Sequence, residues 1–122
     1  MPTPEPTVRV TRYEVTCLPP DHPEAHHFTV RVENRGRGLW AVTDGAHCLG
    51  KDGRWDYEPL PSNREDDWRA SHRFDRDTAL DLAKKAAPRM TVNGWTVERV
   101  LADIAAREAE EAGRSRTGAD DA

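Results

Sequence analysis

At 122 residues the chain has the length of one domain, and 36% hydrophobic against 33% charged residues implies a lean core under a heavily charged surface. The net charge of −4 is spread over both halves, with 7 basic and 9 acidic residues in 1–60 and 11 and 13 in 61–122. That balance disfavours sequence-independent DNA binding, which needs clustered cations.

No apolar run reaches ten residues, which excludes a membrane-spanning helix or a signal-peptide core and makes a cytoplasmic location the expectation. In that compartment Cys17 and Cys48 are expected as free thiols rather than as a disulfide. Of the 18 basic residues 15 are Arg, and Ile occurs once. This is the actinobacterial or phage-like composition of a GC-rich genome, so the Arg excess is not read as phosphate recognition.

Residues 1–6 carry three prolines and are expected to be disordered. Residues 7–18 alternate, with Val8 and Val10 in one phase and Tyr13, Val15 and Cys17 in the other. This predicts a strand with a β-bulge near Thr11–Arg12 to absorb the slip. The proline-rich stretch 18–27 then breaks order. Residues 27–34 place Phe28, Val30 and Val32 on one face, the segment 35–38 (RGRG) turns the chain, and 39–43 returns as a strand. A second hairpin is predicted from His47–Leu49 and Trp55–Tyr57 around a Lys51-Asp52-Gly53 turn.

Within 61–73, Ser62 and Glu65 have capping-box spacing, and Trp68 and His72 share a helical face one turn apart. Asp75 is the predicted N-cap of a clearer helix to Ala87, whose stripe is Ala79, Leu82, Ala83 and Ala86. After an Asn-Gly turn at 93–94, Thr96 caps a last helix with the stripe Val97, Val100, Leu101, Ile104 and Ala105. Trp95 is expected to staple onto Val100. Beyond Ala106 the stripe stops, so residues 107–122 read as a frayed or disordered acidic tail outside a single domain at 7–106. Strands followed by helices predict an α+β fold: an antiparallel sheet of three to five strands covered by two or three C-terminal helices.

No catalytic motif assembles in the sequence. His22, His26, His27, His47, Cys17 and Cys48 are zinc-type ligands without zinc-type spacing, so no metal or other cofactor is expected. Glu65, Asp66 and Asp67 radiate around a helix start and suit its dipole rather than a substrate. A small hydrolase or metal enzyme is therefore the weakest reading.

Four tryptophans among eight aromatics are the unusual feature. Trp40 and Trp95 have core roles to play, whereas Trp55 and Trp68 fall in charged surroundings. One of that second pair is expected in the core. Trp55, Tyr57, Trp68 and His72 form the candidate partner surface.

The alternative surface consists of Arg9, Arg12, Arg31, Arg35 and Arg37, on the exposed sheet face and its turn. The segments Phe28–Glu33 and Leu39–Thr43 and the helix from Asp75 give an outline of strands followed by a helix. In outline this resembles the arm-site DNA-binding domains of phage-type integrases. That resemblance covers about half the chain and implies DNA contact through these arginines. The net acidity, the insertion between Gly45 and His72 and the second terminal helix depart from it. Two functional expectations result: a non-catalytic protein-interaction or regulatory module with a protein partner, or a DNA-binding accessory protein.

Overall fold

The computed structural model describes residues 2–60 and 65–120, the side chains of 115–120 excepted. Five strands form one antiparallel sheet in the order β1-β2-β3-β4-β5, so each pairs with its neighbour in sequence. They are β1 (Arg12–Thr16), β2 (Thr29–Asn34), β3 (Trp40–Thr43), β4 (His47–Leu49) and β5 (Trp55–Tyr57). Helices follow: α1 (Asp66–Ser71), α2 (Arg76–Ala86) and α3 (Val97–Asp120). Between α2 and α3 lie a 3-10 turn (Ala87–Arg89) and a small hairpin of β6 (Thr91–Val92) and β7 (Trp95–Thr96). The arrangement is α+β.

Alternation along β2 directs Val30 and Val32 to one face, while β3 is buried on both faces, with Ala41 and Thr43 covered on the other side. Val30, Val32 and Val42 are fully buried and meet Trp40, Leu49 and Phe74 on one face. Burying each valine contributes about 1.5–3 kcal/mol. The helix α2 lies on this face through Ala79 and Ala83, continued by Ala87 of the 3-10 turn, each at most 1% exposed. Small residues along that stripe bring the helix axis close to the sheet. Its N-terminus is fixed as the sequence predicts, with the Asp75 carboxylate accepting the Thr78 backbone N–H at 3.3 Å.

Phe74 is stitched to β3 by two backbone bonds with Trp40, of 2.7 and 2.9 Å, which fixes where α2 begins.

The first strand is shorter than the sequence suggests. Val8 is fully exposed and Val10 57% exposed, while pairing starts at Arg12 opposite Glu33. The phase slip therefore marks the end of pairing rather than a bulge. The capping residue Ser62 lies outside the described residues, and the N-cap of α1 is Glu65, whose side chain caps nothing.

The last helix departs in two ways. Val97 and Val100 are buried in a second cluster with Leu18, Ala25 and Phe28 from the β1–β2 connection, while Leu101 is 38% exposed and Ala105 exposed. Asn93 and Gly94, with φ of 51° and 80°, make the tight turn that directs α3 there. Thr96 caps it by accepting the Arg99 N–H at 3.1 Å. Trp95 does not enter the core; it stays 40% exposed with the Arg99 guanidinium 4.1 Å from its ring centre. Past Ala106 the α3 backbone runs on to Asp120. As far as Ala112, good helix formers and the pairs Asp103–Arg107 and Glu110–Arg114, one turn apart, favour that course.

Candidate functional site

The predicted partner surface is divided by the pleat of β5. Trp55 and Tyr57 project on the α2 side, and Asp56 between them projects on the opposite side, where α1 sits. The four residues Trp55, Tyr57, Trp68 and His72 therefore do not form one patch.

On the α1 side, His72 is 6% exposed. Its Nε2 lies 2.8 Å from Asp56 Oδ2, and its Nδ1 lies 2.8 Å from both Ser71 Oγ and the Trp68 carbonyl. The Trp68 indole stacks on the imidazole at 4.2 Å and 7°, and the Arg73 guanidinium lies 5.3 Å from the same indole. Trp68 is thus the half-buried member of the pair, spent on holding α1 in place.

Ser71, His72 and Asp56 are the residue types of a nucleophilic triad, but Ser71 Oγ donates to the Trp68 carbonyl at 2.9 Å. A serine committed to a carbonyl is not activated by its histidine. The cluster instead clasps α1 to β5, helped by the Lys51 N–H donating to the Ser71 carbonyl at 2.8 Å.

Beneath α1 runs a mixed-charge layer. Arg73, 7% exposed, donates to Glu58 Oε1 at 3.2 Å, and Arg35 donates to Glu58 Oε2 at 3.1 Å while pairing with Glu33 at 3.2 Å. Burial pushes the Cys48 thiol up to about 11, and the neighbouring Glu58 carboxylate adds to the effect against Arg73 and Arg35. A thiol so placed is a poor nucleophile. Cys17 is exposed and free.

The arginine surface is likewise not a free cationic face. Arg12 pairs with Glu14 at 2.9 Å, Arg31 lies 4.0 Å from Glu14, and Arg35 is held as described. Arg31 and Arg35 are half-buried, and among the described residues only Arg9 and Arg37 of the five lack a carboxylate. Arg37 sits in the β2–β3 turn with φ 56°, and Arg9 precedes β1. Among the described residues no three His, Cys, Asp or Glu side chains gather as metal ligands. No helix there is long and apolar enough to cross a membrane.

On the α2 side, by contrast, a groove of about 610 Å³ opens between the β4–β5 hairpin and the C-terminal end of α2. Leu49, Trp55, Leu82, Ala86 and Met90 give it apolar walls, and Lys85 and Arg89 stand on its rim. Trp55 is 36% exposed and Tyr57 76%, with the His47 ring 4.3 Å from Tyr57 and 3.4 Å from Asp44. Of the aromatics singled out in the sequence, Trp55 lines this groove and Tyr57 stands beside it on the same strand face. Sequence reasoning singles out neither Lys85 nor Arg89 and considers His47 only as a metal ligand. The i, i+4 spacing of Lys85 and Arg89 was the only available signal, and it fits any solvated helix face equally well.

No family model, curated protein or solved structure matches the chain.

Proposed function

We propose that this chain is a non-catalytic protein-interaction module, acting in the cytoplasm, which engages its partner through Trp55, Tyr57 and the groove beside them. One observation carries the reading: two large aromatic side chains stay exposed on the outermost strand, next to an apolar-walled groove, in a chain short of apolar residues. Such side chains give much contact area with few rotors to freeze, and they are typical of interface anchors. In a lean core, leaving them outside forgoes stability that burial inside would supply. A protein rather than a DNA partner is supported by the carboxylates that lie against Arg12, Arg31 and Arg35.

The test is a photo-cross-linking amino acid placed at Tyr57, and separately at Arg12, in the native cell. A discrete protein adduct from position 57 and none from position 12 is the expected result. Adducts to DNA, or a protein adduct only from position 12, overturn the reading. A gel shift with generic DNA at low salt provides the second arm, and no retention is expected.

A further inference from the structure

The β5 edge has a second property besides its aromatics. Gly50 donates its N–H to the Arg54 carbonyl at 2.8 Å, so Gly50 and Arg54 are a hydrogen-bonded pair. In an antiparallel ladder such pairs alternate with non-bonded ones. With Leu49 opposite Trp55, Cys48 opposite Asp56 and His47 opposite Tyr57, the bonded pair is Cys48–Asp56. The backbone N–H and C=O of Trp55 and Tyr57 therefore point away from β4. The sheet ends at β5, and no other described strand pairs with this edge. Four main-chain hydrogen-bonding groups thus flank two exposed aromatic side chains.

The charge of the adjoining groove is equally specific. Lys85 and Arg89 line it, and neither has a carboxylate within ion-pair distance among the described residues. This is a local excess of positive charge in a chain of net charge −4. The one acid in the lining, Asp44, lies 3.4 Å from His47.

Resting on the interaction reading above, we propose that β5 receives an extended acidic peptide segment of a partner protein as a sixth strand. Its main chain bonds to Trp55 and Tyr57, an apolar side chain enters the groove, and its carboxylates meet Lys85 and Arg89. Main-chain bonds give such strand addition its affinity, and alternate side chains give it specificity. Rim charges set the salt dependence and choose the sign of the partner.

A random ten-residue peptide library selected on the full chain tests this. Enriched peptides are expected to be acidic, with apolar residues at alternate positions. The Lys85→Glu/Arg89→Glu double variant should weaken them at least tenfold at low salt. N-methylation of alternate residues along one edge of a selected peptide should weaken binding about tenfold, the loss of two main-chain bonds, while methylating the other set changes little.

Peptides that need Tyr57, judged by Tyr57→Ala, yet are indifferent to methylation of either edge or show no acidic bias, overturn strand addition and leave the interaction reading standing. Selected peptides unaffected by both Tyr57→Ala and the charge reversals overturn both. Circular dichroism of each variant separates lost binding from lost fold.

Discussion

The ion cluster under α1 makes an asymmetric prediction. Glu58 faces two arginines, so replacing it with Gln removes the carboxylate to which both Arg73, 7% exposed, and Arg35 donate. Removing one member of a buried pair costs about 3–5 kcal/mol because the remaining charge is uncompensated. Arg35 keeps Glu33 at 3.2 Å, and Glu58 is 18% exposed on its side chain, which place Glu58→Gln at the lower end, about 3 kcal/mol.

Arg73→Met is milder. Glu58 retains Arg35, the methionine keeps an unbranched side chain under Trp68, and the losses include the bonds to the His72 carbonyl at 2.9 Å and to Glu58 at 3.2 Å. Leaving one buried acceptor unpaired costs about 1–2 kcal/mol.

Urea unfolding at pH 7 followed by tryptophan fluorescence measures both, and the double variant gives the coupling. Glu58→Gln should lower stability clearly more than Arg73→Met, with the double variant less destabilised than the sum. If both singles lie within 0.5 kcal/mol of the parent chain, on the order of an ordinary surface substitution, or the order is reversed, the layer between α1 and the sheet does not hold the charges as described.

Five further outcomes follow. Cys17 should react with a thiol reagent in the folded chain at pH 8, while Cys48 reacts only on unfolding. Because the folded Cys48 thiol ionises near 11 rather than 9, its contribution to stability is complete below pH 9 and declines between pH 9 and 11. The decline is about 1.4 kcal/mol per pH unit, and Cys48→Ala should remove that share of the slope in alkaline urea titrations.

Asp75→Ala should lower the melting temperature at neutral pH. Accepting the Thr78 N–H holds its carboxyl below the usual range, so the difference should shrink as the pH falls through that depressed value. Gly50→Ala should destabilise by about 1–3 kcal/mol in thermal unfolding, since a Cβ there would lie 2.8 Å from Asp52 Oδ1 and 3.2 Å from His72 Nε2. Single-tryptophan variants should show Trp55 open to acrylamide quenching and Trp40 protected, and equal quenching would contradict the exposed hairpin.

The sequence by itself determined the elements whose signals are local. Alternation in Thr29–Asn34, the returning strand Trp40–Thr43, the turn at Lys51-Asp52-Gly53, the Asp75 and Thr96 caps and the Asn93-Gly94 turn are all settled within a few residues of chain. Each rests on backbone preference or side-chain period, which need no distant partner.

Tertiary structure alone decided where those elements meet. An apolar stripe states that Val97 and Val100 will be buried but not by what; Leu18, Ala25 and Phe28 supply the answer from some seventy positions away. The same holds for the tryptophans. Trp55 and Trp68 stand in equally charged local sequence, yet one lies open beside a groove and the other is stacked on His72. Asp56 meeting His72, Glu58 meeting Arg73 and Arg35, and Lys85 and Arg89 lining the same groove as Trp55 are contacts between strand, turn and helix. Packing fixes such contacts, since periodicity assigns a side chain to a face and leaves open what that face will touch.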